Sequence, residues 1–114
     1  MSQWSGPLSG QNSTGQTIYN VKISQTAPGH PAQTITATHV SNGNSFGGGQ
    51  WQTAGTARDH WSWAYNLGTA TGPLITGSME CNLAQPDGAS VIILTSTGAI
   101  VEQGGSSVCT GSNH

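Results

Sequence analysis

The chain has 114 residues, of which 5% are charged, with two cations, four acids and a formal net charge of −2 at neutral pH. Two cations cannot neutralise a run of phosphates, so we exclude a nucleic-acid-binding module, and we exclude a basic face for anionic lipid. Four scattered acids make a calcium cage hard to build. Ser, Thr, Asn, Gln and Gly contribute more than half of the residues, so neutral hydrogen-bonding groups supply most of the polarity.

The length predicts one domain spanning residues 1–114. The longest apolar run, Val91 to Leu94, is far too short to cross a bilayer, so we expect no transmembrane segment. The first residues lack a basic region followed by an apolar one, so we also expect no signal peptide in this chain. Few Lys and Glu among many Ser, Thr and Gly residues favour an extracellular or cell-surface protein.

Two cysteines, Cys81 and Cys109, allow one internal disulfide. The composition suits an oxidising compartment, so we expect the bridge to form, and closing this loop is worth about 3 kcal/mol. Two buried, reduced thiols are the alternative. Asn12, followed by Ser13 and Thr14, also fits the acceptor pattern for N-glycosylation.

Alternation of apolar and polar residues predicts strands, because Gly and Pro interrupt the chain and no long window has helical periodicity. In chain order, strands are predicted over residues 17–24, 34–40, a short segment near Trp51, 59–67, 74–83, 90–95 and 99–103. Residues 41–49 are predicted to form a mobile loop, and residues 85–88 form a turn that precedes the hairpin of the last two strands. We expect residues 1–15 and 104–114 to be poorly ordered ends, unless Cys109 holds the tail to Cys81.

Seven or eight short strands separated by turn residues predict an all-β fold with no long helix. The architecture expected is an antiparallel β-sandwich of the jelly-roll or Ig-like kind. Threonines at alternate positions of residues 34–40 share one face of their strand. In residues 59–67 the aromatic side chains share one face and His60, Ser62 and Asn66 share the other.

The stretch from Gln50 to Asn66 holds three of the four Trp residues next to amide and charged side chains. A sugar ring has apolar C–H faces and a rim of hydroxyls, so a flat aromatic ring beside polar groups suits a neutral glycan. Ligand-binding residues are therefore predicted in and after the glycine-rich loop: Asn42, Asn44, Trp51, Arg58, Asp59, His60, Trp61 and Asn66.

Trp51 is the strongest candidate for an exposed ring, because it follows three glycines, and Trp4 is the second. The simplest interpretation of Trp61 and Trp63, which competes with a role in binding, places both on the core face of their strand, where aromatic rings fill volume. For Asp59 the competing interpretation is a cap on the preceding turn.

No catalytic, cofactor-binding or metal-ligating residues are predicted. The four His residues have no tight ligand spacing, and a site that included the cysteines would need them reduced. No Gly-x-Ser-x-Gly motif is present, and the few acids offer no convincing carboxylate pair for glycoside cleavage. We therefore expect a protein that is not an enzyme.

In composition and size the chain is similar to small all-β secreted lectins and carbohydrate-binding modules, a likeness of class that transfers no residue roles. We expect a non-catalytic, lectin-like protein that binds a neutral glycan or cell-surface carbohydrate.

Two alternatives stay open. One is a self-assembling structural or surface protein, since low charge gives little repulsion between copies. The other is a membrane-active β-sandwich with exposed Trp at the lipid interface. Low charge and free strand edges favour a homo-oligomer.

Overall fold

The computed structural model describes residues 4–53, 58–83 and 88–114, and it leaves the side chains of Trp4 and Thr53 outside that description. These residues form nine strands and no helix: β1 (Trp4–Ser13), β2 (Ile18–Thr26), β3 (Gln33–Val40), β4 (Ser45–Thr53), β5 (Asp59–Leu67), β6 (Leu74–Cys81), β7 (Ser90–Thr95), β8 (Gly98–Gln103) and β9 (Ser106–Ser112). In these ranges, no helix is found that could span a membrane.

The nine strands form two packed sheets, so the predicted all-β sandwich is confirmed. A five-stranded sheet has the order β4-β1-β7-β8-β9, and a four-stranded sheet has the order β3-β2-β5-β6. All pairs are antiparallel except β1 with β7, where Leu8 to Ser13 runs parallel to Ser90 to Thr95. Apolar side chains from the inner faces of both sheets form one core between them.

Large aromatic side chains of the core lie opposite glycines on the neighbouring strand. Trp51 is paired with Gly6, Phe46 with Gly10, and Trp63 with Gly77. A Cβ atom added at Gly6 would lie 2.9 Å from Nε1 of Trp51, and one at Gly77 would overlap the ring of Trp63. Because glycine has no side chain, each of these positions leaves the volume that the opposite aromatic ring occupies between the two packed sheets.

One long edge of the sandwich is closed by contacts between β6 and the end of the chain. Cys81 is bonded to Cys109 of β9, with an S–S distance of 2.00 Å, so the predicted disulfide is confirmed. Asn113 forms a backbone bridge with Gly77, and its side-chain oxygen accepts a hydrogen bond of 2.8 Å from Nε1 of Trp63. The last residues thus pass from the five-stranded sheet to the four-stranded one.

The predicted strand over residues 59–67 coincides with β5, and the one over residues 90–95 coincides with β7. The expectation of a poorly ordered N-terminal end is wrong, because residues 4–13 form β1. Residues 106–112 form β9, in agreement with the expectation that a bond from Cys109 to Cys81 would hold the tail. The expectation of a loop over residues 41–49 is wrong for residues 45–49, because β4 begins at Ser45. β4 tolerates its glycines because Gly47 and Gly49 lie against the side chain of Ile35 in the facing sheet. The turn predicted at 85–88 lies outside the described residues, except for Gly88.

Candidate functional site

The outer face of the four-stranded sheet carries a row of four hydroxyl side chains. Thr34 of β3 is paired with Ser24 of β2, Ser24 with Ser62 of β5, and Ser62 with Ser78 of β6. We call these four residues the hydroxyl row. Neighbouring strands lie about 4.8 Å apart, so the row extends about 14 Å across the sheet.

Most hydroxyls of the row are available to a ligand. Those of Ser24, Thr34 and Ser62 have no hydrogen-bond partner within the part of the chain that the structure describes. Ser78 differs, because its Oγ lies 3.2 Å from Nε2 of His114, which follows β9 and packs beside β6. The open part of the row is therefore the part formed by β3, β2 and β5.

The rows on either side of the hydroxyl row add few charges. Lys22 lies in the next row, between Thr36 and Ala64, and His60 lies in the row on the other side. Arg58 and Glu80, near His60, form an exposed ion pair with 2.7 Å between Nη1 and Oε2. Since these two charges offset one another, the face is close to neutral and is dominated by hydroxyl groups.

At one end of the same face, a further cross-strand row combines rings, an amide and an aliphatic side chain. It consists of His39, Tyr19, Asn66 and Leu74, and we call it the end row. The ring centroids of Tyr19 and His39 are 6.0 Å apart, with 32° between the ring planes. Leu74 is 65% exposed, and it is the only large hydrophobic side chain that is exposed among the described residues.

Asn20 lies beside the end row in a left-handed backbone conformation, with φ of 54°. At this position β2 has a bulge against β5, since the register shifts between Tyr19 and Lys22. The Asn20 amide donates to Oδ1 of Asn66 over 2.9 Å and to the carbonyl of Ala70 over 3.2 Å. Non-glycine residues in this conformation are uncommon outside turns and functional sites.

The predicted ligand-binding residues do not form one site. Asn42, Asn44 and Asn66 lie at one end of the sandwich, and Trp51, Arg58, Asp59, His60 and Trp61 lie at the other. Asp59 and Asn66 are seven positions apart on β5, which corresponds to about 23 Å along a strand. Of the eight, His60 and Asn66 lie on the outer face of the four-stranded sheet, as the strand pattern predicted.

The expectation that Trp51 offers an exposed ring is wrong, because its side chain is 0% exposed, and the side chain of Trp61, also predicted as a ligand contact, is 0% exposed as well. Trp51 points into the core over Gly6, and its Nε1 donates to the carbonyl of Gly88 over 3.0 Å. Trp61 points into the core from β5, together with Trp63. These rings fill the interior, as the competing interpretation held for Trp61 and Trp63. The proposed role of Trp4 lies outside what the structure describes.

Asp59 is also wrong as a surface ligand, because it is 1% exposed. Its Oδ2 accepts hydrogen bonds from Nε1 of Trp61 and from the Gln25 amide, the latter over 3.2 Å. The Gln25 amide also donates to the carbonyl of Gln52 over 2.8 Å, which joins the two sheets. Oδ1 of Asp59 is buried without a partner within the described ranges, and desolvation raises the pKa of this carboxyl above its ordinary value, against the effect of the two hydrogen bonds.

Asn42 and Asn44 lie in the short turn between β3 and β4. Oδ1 of Asn42 accepts a hydrogen bond from the Gly15 amide over 2.8 Å, and the backbone of Asn44 pairs with Asn12. Both side chains are exposed, and that of Asn42 contacts the β1–β2 connection through its bond with Gly15. Asn42 therefore joins two neighbouring turns.

No cluster of three metal-ligating side chains is found within residues 4–53, 58–83 and 88–114. The described surface also has no enclosed cavity, so the candidate site is an open, extended face. Neither family models nor curated proteins match the sequence.

Residues of the hydroxyl row and the end row were not predicted as ligand contacts, apart from Asn66. The alternating threonines of residues 34–40 were the available signal for β3. The pairing of Ser24 with Ser62, and of Ser62 with Ser78, depends on the register between strands, which alternation alone does not specify.

Proposed function

We propose that the protein is a non-catalytic binding protein for a neutral, polyhydroxylated partner such as a cell-surface glycan. The observation that carries this proposal is the hydroxyl row, which places four Ser and Thr side chains side by side on an open face. Asn66 and His60 lie on the same face, at its two ends along β5.

The chemistry of the hydroxyl row suits hydroxyl groups on a partner. Each Ser or Thr hydroxyl donates one hydrogen bond and accepts two, so it can match either role of a sugar hydroxyl. Binding a neutral partner also avoids the high desolvation cost of a charged group. Because Arg58 and Glu80 pair with each other, Lys22 is the only free cation that the described outer face offers to a competing anion.

An extracellular or cell-surface location belongs to the same proposal. The Cys81–Cys109 disulfide supports it, because disulfides persist in oxidising compartments and are rare in the cytosol.

Self-association is a second candidate function, favoured by the free edge of β3. This strand is paired with β2 alone, and residues 33–40 contain no Lys, Arg, Asp, Glu or Pro that would block pairing with another chain. Size-exclusion chromatography across a wide concentration range tests it. A monomer at every concentration contradicts self-association.

The membrane-active alternative depended on exposed Trp rings, and three of the four, Trp51, Trp61 and Trp63, are buried in the core, while the side chain of Trp4 lies outside the described residues. No feature of the described residues favours it over glycan binding.

A glycan array followed by titration of the strongest ligand tests the proposed function. Combining Ser24→Ala with Ser62→Ala removes two hydroxyls from the centre of the face, and neutral hydrogen bonds of about 0.5–1.5 kcal/mol each predict binding weaker by about 5- to 150-fold. Thr110→Ala, which removes an exposed hydroxyl from β9 in the other sheet, is the matched control and should bind like the wild type. Absence of binding to every neutral glycan overturns the proposal.

A further inference from the structure

We propose that the end row, with Asn20, is a subsite that binds the apolar face of one sugar ring of the glycan. This inference rests on the proposed function, and it concerns a different part of the same face. In this subsite the aromatic ring that contacts the sugar is that of Tyr19, and not that of a buried Trp residue.

The end row is amphipathic, whereas the hydroxyl row is polar throughout. Tyr19 and His39 put two neighbouring rings on one side of Asn66, and Leu74 puts an exposed aliphatic side chain on the other. The Tyr19 ring is half-buried and Leu74 is exposed, and apolar groups that reach the surface beside a polar group are typical of binding surfaces. A sugar ring has the complementary arrangement, with an apolar C–H face and a rim of hydroxyls.

Asn20 and Asn66 supply hydrogen-bonding groups at the edge of the rings. The amide nitrogen of Asn20 is engaged by Asn66 and by the carbonyl of Ala70. The amide nitrogen of Asn66 donates to the carbonyl of Gly72 over 3.0 Å. Oδ1 of Asn20 has no partner among the residues that the structure describes, so it is a free acceptor held in place by the other bonds.

The left-handed conformation of Asn20 positions these groups. The bulge that it creates inserts an extra residue opposite Tyr65, and this lets Tyr19 and Lys22 both lie on the outer face although they are three positions apart. A regular strand would place residues at that separation on opposite faces. The bulge thus brings the ring of Tyr19 onto the same face as Ser24 and the hydroxyl row.

A glycan that contacts both rows must be an extended chain. Tyr19 and Ser24 are five positions apart on β2, about 13–17 Å for a strand with one bulge. We therefore infer that the partner is a neutral oligosaccharide of several linked rings, with one ring on Tyr19 and others along the hydroxyl row.

The experiment uses purified, disulfide-bonded protein and neutral oligomers of glucose, mannose, galactose and N-acetylglucosamine, from one to six rings, with affinity measured by calorimetry or NMR titration. We expect longer oligomers to bind more tightly than monosaccharides. Tyr19→Ser should weaken binding of the best oligomer about tenfold, and Tyr19→Phe, which keeps the ring, should stay within about threefold of the wild type. Asn20→Gly retains the backbone conformation and should also weaken binding.

Three results separate this inference from the proposed function. If Tyr19→Ser binds like the wild type while the Ser24→Ala, Ser62→Ala pair binds weakly, the subsite is wrong and the proposed function stands. If Tyr19→Phe binds as weakly as Tyr19→Ser, the ring contact is wrong. If no oligomer binds the wild type, the subsite is wrong, and the proposed function is overturned with it when the glycan array also finds no neutral ligand. Thr110→Ala again serves as control, and circular dichroism of each variant verifies that it is folded.

Discussion

The indole N–H of Trp61 donates a hydrogen bond to the carboxylate of Asp59, two positions earlier on the same strand, and both side chains are buried. Both residues belong to the region of the sequence that most suggested a binding site. Because their polar groups bind each other inside the core, neither is available to a ligand. The outer face of β5, formed by the residues between them and beyond, is the part that meets solvent.

Burial of Asp59 predicts that this residue makes the protein less stable at neutral pH than under mildly acidic conditions. Desolvation raises the pKa of the folded-state carboxyl above its ordinary value of 3.8. The folded state then binds more protons than the unfolded state, so the free energy of unfolding falls as pH rises through the interval between the two pKa values. A tenfold difference in proton affinity corresponds to about 1.4 kcal/mol.

Asp59→Asn removes the titrating group and keeps an oxygen that can accept the bonds from Trp61 and Gln25. Urea unfolding between pH 4 and 7 should therefore show the wild type gaining stability relative to this variant as pH falls. Parallel pH profiles of the free energy of unfolding for the two proteins would show that burial does not raise the pKa of Asp59.

Burial of three Trp rings predicts that their fluorescence is shielded from water and from quenchers dissolved in it. A Trp4→Phe variant retains only Trp51, Trp61 and Trp63, which are at most 2% exposed. We expect blue-shifted emission and weak quenching by iodide, both of which should disappear in concentrated urea. Strong iodide quenching of the folded variant would contradict the packing described for these rings.

The disulfide between Cys81 and Cys109 is expected to contribute about 3–4 kcal/mol, because it closes a loop with a sequence separation of 28. Adding a reductant should lower the urea midpoint of the wild type. A variant with both cysteines changed to alanine should be equally weakened and insensitive to the reductant. A wild type whose midpoint is unchanged after verified reduction would contradict this expectation.

Asn12 is predicted to be needed for stability and to be unavailable to glycosylation in the folded protein. Its side chain is 0% exposed and donates to the carbonyls of Gln16 and Val40, over 2.8 and 2.9 Å. Its Oδ1 accepts bonds from Thr14. Asn12→Ala should cost about 2–4 kcal/mol, since buried carbonyls lose their partner.

Asn44→Ala is the matched control, because the side chain of Asn44 is exposed, and we expect a change within about 0.5 kcal/mol. Equal stabilities of the two variants in urea unfolding would contradict the role of Asn12. Mass spectrometry of the protein secreted from a eukaryotic cell tests whether Asn12 is glycosylated. Folded protein that carries a glycan on Asn12 would contradict the prediction.

The strict alternation of β5 and the continuous apolar run of β7 could be recognised in the sequence, and both strands have the predicted bounds. β1 could not, because Gly6, Pro7 and Gly10 resemble loop residues until the rings of Trp51 and Phe46 fill the spaces above the glycines. β4 was missed over Gly47 to Gly49, where Gly47 and Gly49 lie against the side chain of Ile35 in the facing sheet. In both strands the contacts are with residues distant in sequence, and local propensity does not report them.

For the candidate site, alternation correctly placed His60 and Asn66 on one face of β5. Alternation alone does not show whether this face or the aromatic face of β5 meets solvent, because a buried Trp61 and an exposed Trp61 fit the same pattern. The hydroxyl row needs the register of four strands, and Tyr19 reaches the outer face beside Lys22 only because Asn20 forms a bulge. Neither register nor bulge is visible in the periodicity of a single strand.

The measurement that tests the central claim most directly is an NMR titration of the isotope-labelled protein with its best neutral oligosaccharide. We predict that the backbone amide shifts that change on binding cluster on β2, β3 and β5 around Ser24, Thr34 and Ser62, and extend to Tyr19. Changes confined to the five-stranded sheet, or a spectrum that no neutral oligosaccharide alters, would contradict glycan binding by the hydroxyl row.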